Sequence, residues 1–246
     1  MKITIYYCGF GERYFQEAII SALSVRIIGS FDGEILIFCD QNYGFSWLEN
    51  YGYAAPKVTL VTLGNKEPKD AAAFRLKVLD YIPIDNESIL LYLDTDIVCI
   101  RYIEWKELLS NCDLNLVNVY GYSDRTQDNP NMAGFVTDDA DILSQKAFCS
   151  GLLLFRPLDS IAKSFVEVLQ RYANQQNINV CWEQPMLCYV LLKNNLANIT
   201  LDPYVNELRN PDADKKDAVF NHLCGLRSEN RPTQMLNLLK QVEKNY

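Results

Sequence analysis

The stretch that most constrains this chain is Ile89-Leu90-Leu91-Tyr92-Leu93-Asp94-Thr95-Asp96, an unbroken apolar run that ends on two carboxylates. Such a run is the pattern of a strand buried on both faces of a parallel sheet. In extended chain Asp94 and Asp96 would point to one side, with Cα atoms roughly 6.6 Å apart at about 3.3 Å per residue. Like charges that close to a low-dielectric core are costly unless a cation lies between them or one takes up a proton. Ligands of open α/β sheets bind outside the carboxyl ends of the strands, which is where Asp94 and Asp96 are expected. The alternative for these residues alone is a plain turn leading to the next helix.

The 246 residues, 49% apolar and 22% charged, suffice for a globular core. A formal charge of −8 without a Lys/Arg run argues against a nucleic-acid footprint or a polybasic membrane patch. Met1 to Phe10 lacks the apolar core of a signal peptide, and no window approaches the ~20 apolar residues that span a bilayer. The eight cysteines are scattered, with no C-x-x-C pair. They read as small buried hydrophobes of a reducing, cytoplasmic protein.

Along the chain, strands are expected at Lys2 to Tyr7, Glu34 to Cys39 and Lys57 to Val61. A helix whose apolar stripe is Phe15, Ala18, Ile19, Ala22 and Leu23 follows the first strand and its Cys8-Gly9-Phe10-Gly11 turn. Asp70 to Ile82 reads as a helix with Asp70 as its cap, and Glu104 to Leu109 as a short one. Leu114 to Val119 reads as a strand, and Tyr120 to Lys146 as a long polar loop of the kind that is a lid, a binding loop or disordered. Phe148 to Phe155 is a buried strand, after which Asp159 caps a helix carrying Ile161, Phe165, Val168, Leu169 and Tyr172. Another helix starts near Glu183-Gln184-Pro185, and short strands are expected at Ala197 to Leu201 and Ala218 to His222. The alternation predicts an α/β domain with a mostly parallel central sheet flanked by helices. The sole histidine, His222, at a strand end, is either a satisfied core residue or a third ligand of an oxygen/nitrogen site suited to Mn2+ or Mg2+.

Taken in order, Phe74-Arg75-Leu76-Lys77, Leu91 to Asp96, Phe148 to Phe155, Glu183-Gln184 and His222-Leu223-Cys224-Gly225 resemble the family 8 retaining glycosyltransferases, glycogenin-like or galactosyltransferase-like, of GT-A fold. The resemblance implies a single Rossmann-like GT-A domain over 1–246, with a nucleotide-binding half of about 1–100 and an acceptor/catalytic half of about 101–246. It implies Asp94, Asp96 and His222 as ligands of Mn2+ or Mg2+ against the diphosphate of a UDP-sugar. Arg75 matches a donor-contacting basic position, Gly225 a close backbone approach to phosphate, and Glu183 and Gln184 an Asp-Gln pair beside the sugar. Thr95, Ser150 and Gly151 fall among the donor-contacting positions. Tyr7, Cys8 and Tyr14 lie where the family receives uridine, although an aromatic there can equally be packing. The acceptor is left open, as is the choice between a covalent intermediate and same-face attack.

This sequence departs from the pattern at Cys149, where the family has a sugar-contacting Asn, and at Ser228, where it has a Lys. Arg227 or Arg231 could supply the phosphate contact instead, or either could equally be a solvated surface charge. Two other readings stay open: a degenerate sugar-nucleotide-binding protein, and a metal-dependent phosphotransferase of haloacid-dehalogenase type. The second wants its acidic pair after the first strand and a Thr where Val98 stands.

Overall fold

The computed structural model describes residues 2–82, 87–123, 140–143, 145, 148–174, 183–207, 218–224 and 230–245. The apolar runs become strands of a mixed α/β fold. In chain order the first elements are β1 (Lys2–Cys8), α1 (Glu12–Ile27), β2 (Glu34–Cys39), β3 (Thr59–Thr62), α2 (Asp70–Phe74), β4 (Ser88–Leu93), β5 (Ile97–Cys99), α3 (Trp105–Ser110) and β6 (Val119–Ser123). There follow α4 (Ala140–Leu143), β7 (Phe148–Phe155), α5 (Asp159–Asn174), α6 (Gln184–Lys193), β8 (Ala197–Asn198), β9 (Val205–Glu207), β10 (Phe220–His222) and α7 (Arg231–Glu243). A seven-stranded sheet has the order β3-β2-β1-β4-β7-β6-β8, and a three-stranded sheet the order β5-β10-β9.

The chain divides into two compact units, one of Met1–Ile3, Ala72–Tyr92 and Leu109–Asp202, the other of Thr4–Ala71, Leu93–Leu108 and Pro203–Tyr246. In the latter, β1 pairs in parallel with β2, and β2 with β3. The turn out of β1 is tight. A Cβ on Gly9 would come within 2.7 Å of the Tyr14 carbonyl oxygen, and Gly11 sits at φ +85°, a region that disfavours other residues. The Gly11 N–H donates to Asp40 Oδ1 at 2.9 Å, tying the start of α1 to the end of β2. Further on, β10 pairs antiparallel with β5, so that His222 stands opposite Ile97, the residue after Asp96.

In the other unit, β7 is antiparallel to β6, β8 is parallel to β6, and α6 opens with Glu183 at its N-cap position and Pro185 in its first turn. The rings of Phe155 and Phe165 meet edge to face at 5.1 Å, joining β7 to the apolar stripe of α5.

Several expected elements differ in the structure, each for a local reason. The helix expected from Asp70 to Ile82 is α2 plus a 3-10 turn at Val78–Asp80. Arg75 Nε donates to the Ala72 carbonyl at 3.1 Å, while the Leu76 and Lys77 N–H groups bond only three residues back. The side chain thus takes the acceptor that the next α-turn would need. Asp70 does not cap that helix from outside; its carboxylate accepts the Glu67 N–H instead. The strand expected at Leu114 to Val119 begins only at Val119, because Asp113 folds the preceding residues into a turn by accepting the Asn115 N–H. Likewise β8 stops at Asn198, whose Oδ1 accepts both the N–H and the hydroxyl of Thr200. Of the loop expected from Tyr120 to Lys146, β6 takes the first residues, α4 a short stretch, and the rest lies almost wholly outside the described residues.

Candidate metal and donor site

The turn after β4 holds the acidic pair. Asp94 to Asp96 are not extended: the Ile97 N–H bonds the Asp94 carbonyl at 3.2 Å, so the chain turns as it passes from β4 to β5. The carboxylates still converge, because the pairing of β5 with β10 brings the histidine to them. Leu223 N–H bonds the Asp96 carbonyl at 3.0 Å, and His222 Nε2 lies 3.1 Å from Asp96 Oδ1 and 3.6 Å from Asp94 Oδ2. One ligand atom from each of the three residues falls within 4.8 Å of the others. Adjacent ligands of one divalent ion stand about 3.0–3.7 Å apart for ligand distances of about 2.1–2.6 Å, so these three side chains could hold one such ion. The site is polarised in access, with the His222 side chain 4% exposed, Asp96 10% and Asp94 28%.

Asp96 is also held from behind. Its Oδ2 accepts Arg231 Nη1 at 2.7 Å, while Arg231 Nε and Nη2 grip the two oxygens of Glu17 at 2.8 and 3.0 Å. Burial alone would push the Asp96 carboxyl up, but His222 and then Arg231 outweigh it and hold it down to about 2. Thr95 Oγ1 donates to Glu17 Oε2 at 3.1 Å, and Arg13 Nε to Glu17 Oε1 at 2.9 Å.

Glu17 is the residue that sequence reasoning passed over. The apolar stripe of α1 was plain, yet Glu17, Ser21 and Ser24, at i, i+4 and i+7, form a second, polar stripe that is fully buried. Each member has work beside the acidic pair or β1: Glu17 takes Thr95 and Arg231, Ser21 donates to the Tyr7 hydroxyl, and Ser24 Oγ accepts the Cys99 N–H of β5 at 2.8 Å. A polar helical stripe wedged among apolar residues was the available signal.

The second cluster lies in the other unit. Glu183, fully buried, meets Arg75 through Nε at 2.9 Å and Nη2 at 3.2 Å. Arg75 Nη1 reaches the Ser150 carbonyl at 2.9 Å, and its guanidinium lies 5.2 Å from the centre of the Tyr92 ring. Gln184 Oε1 accepts both the N–H and the hydroxyl of Ser150 at 3.1 Å. Gly151 follows, buried, in β7. Cys149 is buried with its thiol 2.9 Å from the Tyr122 hydroxyl.

The positions suggested for uridine divide. Tyr7 has no exposed surface, and burial pushes its hydroxyl well above the usual phenol range. A ring so enclosed offers no face to a base, so Tyr7 acts here as core packing. Cys8 is 2% exposed. Tyr14 is half-buried, with the Arg13 guanidinium 5.5 Å from its ring centre. Gly225, Arg227 and Ser228 lie outside the described residues. Of the described cysteines all but Cys224 are buried, and burial pushes the thiols of Cys99 and Cys112 up to about 12.

No protein-family model and no curated protein matches the sequence. Similarity appears in three dimensions. A crystal structure of the galactosyltransferase LgtC in complex with donor and acceptor sugar analogs is 17% identical with a TM-score of 0.61, covering 97% of this chain and 95% of its own. The chain has a GT-A fold. A second structure, of an active-site mutant of LgtC, is 13% identical with a TM-score of 0.65 and covers 98% of this chain and 95% of its own. Among the described residues no helix is long and apolar enough to cross a membrane.

Proposed function

We propose that this chain is a retaining glycosyltransferase that moves a hexose from a UDP-sugar to an acceptor, with Mn2+ or Mg2+ held by Asp94, Asp96 and His222. The observation that carries the reading is the convergence of those three side chains, within 4.8 Å, on a GT-A fold. The similarity to LgtC, a galactosyltransferase bound to donor and acceptor sugar analogs, supports transfer of a sugar. When bound, the ion supplies a Lewis acid that offsets the charge on the departing diphosphate. Asp96 and His222 provide the fixed, buried part of the set, and Asp94 the more exposed part. Thr95, bonded to Glu17, keeps the turn between the two aspartates in place.

The resemblance assigns Gln184, Glu183 and Arg75 to the sugar end of the donor. Arg75, engaged on Glu183 and on the Ser150 carbonyl, then orders Glu183, and Gln184 orders Ser150. Cys149, bonded to Tyr122 where the family has an Asn, supports a sugar preference of its own. The buried free thiols support a reducing, cytoplasmic setting.

The test is release of UDP from a panel of UDP-hexoses with Mn2+, Mg2+ or chelator. Metal-dependent release from at least one sugar, lost in Asp96→Asn, is expected. Release that chelator leaves unchanged would overturn the metal role. UDP binding without turnover of any sugar would mark the protein as a sugar-nucleotide binder instead.

A further inference from the structure

The metal reading leaves unexplained why a fully buried glutamate stands behind the acidic pair. A buried carboxylate is expensive unless it is paired and hydrogen-bonded. Glu17 is both: each oxygen receives one N–H from Arg231, Oε2 also receives the Thr95 hydroxyl, and Oε1 also receives Arg13 Nε. This bidentate grip fixes the plane of the guanidinium. The remaining edge of Arg231 then reaches Asp96 Oδ2 at 2.7 Å. Asp96 is left with Oδ1 alone turned to His222 Nε2, at 3.1 Å.

We propose that Arg231, oriented by Glu17, is a positioning residue that makes Asp96 a one-oxygen ligand and thereby selects a small octahedral ion over a larger one. The inference rests on the metal reading above. Its physical basis is the difference in coordination demand. Mg2+ requires six ligands at about 2.1 Å in near-ideal octahedral geometry, whereas Ca2+ takes six to eight oxygens at about 2.3–2.6 Å and readily uses both oxygens of a carboxylate. Mn2+ is met in the same octahedral oxygen sites as Mg2+, whereas Ca2+ also expands to seven or eight ligands. With Oδ2 bound to Arg231, the two-oxygen contact that Ca2+ readily uses must compete with that hydrogen bond. The helix α7 thus contributes the selectivity, although none of its residues needs to touch the ion.

Lysine cannot replace arginine in this role. Its ammonium keeps the charge but lacks the planar fork that spans two carboxylates at once. The charge-balanced pair Glu17→Gln/Arg231→Met removes the fork without leaving Glu17 buried and unpaired, while Asp96 keeps His222 beside it, and so guards against a variant that merely fails to fold.

The test is Mn2+ binding to the substrate-free protein, read from the electron paramagnetic resonance of free Mn2+, with Ca2+ as competitor. Circular dichroism confirms that each variant is folded. In the charge-balanced variant and in Arg231→Lys, the Mn2+ dissociation constant should rise about 10- to 100-fold, the usual effect of losing an outer-shell partner. Ca2+ should bind as well as before or better, so the preference for Mn2+ narrows in both. An unchanged Mn2+/Ca2+ preference in the charge-balanced variant, or full rescue by lysine, would overturn the positioning role while leaving the metal site standing. Absence of Mn2+ binding to the wild-type protein, or binding that His222→Ala does not weaken, would overturn both.

Discussion

Two buried arginine–glutamate clamps, one in each unit, use the same pair of side chains to different ends. Arg231 grips Glu17 and extends to Asp96, a carboxylate with one oxygen facing His222. Arg75 grips Glu183 and extends to a backbone carbonyl, that of Ser150, with the Tyr92 ring beside it. A guanidinium that ends on a carboxylate can tune what that carboxylate binds, whereas one that ends on a carbonyl fixes the path of a strand. The first clamp is therefore expected to show itself in metal binding, and the second in stability.

The sharpest way to break this contrast is Arg75→Met. It leaves Glu183 buried without its cation, which should cost about 3–5 kcal/mol in denaturant unfolding while Mn2+ affinity of the folded fraction stays as in the wild type. A comparable loss of Mn2+ affinity would erase the distinction between the clamps.

A smaller effect follows from the depressed Asp96 carboxyl. Its folded value of about 2 lies below the ordinary 3.8, so its ionisation stabilises the fold. That stabilisation is fully present above about pH 4 and is lost as the pH falls through about 2, an effect on the order of 2 kcal/mol. In chelator, Asp96→Asn should flatten this part of the stability profile relative to the wild type, and an unaltered profile would deny the coupling to His222 and Arg231.

The smallest effect belongs to Ser24→Ala, which leaves the buried Cys99 N–H of β5 without its acceptor and should cost about 1–2 kcal/mol in urea unfolding. No measurable change would mean that the polar stripe of α1 does not hold β5.

How much of this could be read from the sequence depended on the length of the signal. The run of β4 into Asp94 and Asp96, the β7 segment and the stripe of α5 each fill several turns or alternations, and the structure has them at those places. The strands β5 and β9 have three residues each, too few to show a period, and exist because β10 lies between them. The helix α7 was passed over although Pro232 stands in its first turn and Met235, Leu236 and Leu239 are buried at helical spacing. Arg231 read alone could be a phosphate contact or a solvated surface charge, yet the fold has its guanidinium buried on two carboxylates. The acidic pair Asp94 and Asp96 was legible because charge at the end of an apolar strand is conspicuous, and the fold brings His222 to it. Glu17 was not, because Thr95 and Arg231, the partners that tie it to the acidic pair, lie 78 and 214 residues away along the chain.

The most direct measurement is calorimetric titration of metal-free protein with UDP, with and without Mn2+, on the wild type, Asp96→Asn and His222→Ala. UDP binding should require Mn2+ in the wild type and fall at least about tenfold in either variant, a difference of about 1.4 kcal/mol or more. Equal affinity with and without Mn2+, or variants that bind as the wild type does, would contradict the metal reading and leave Asp94 to Asp96 as a turn at a strand end.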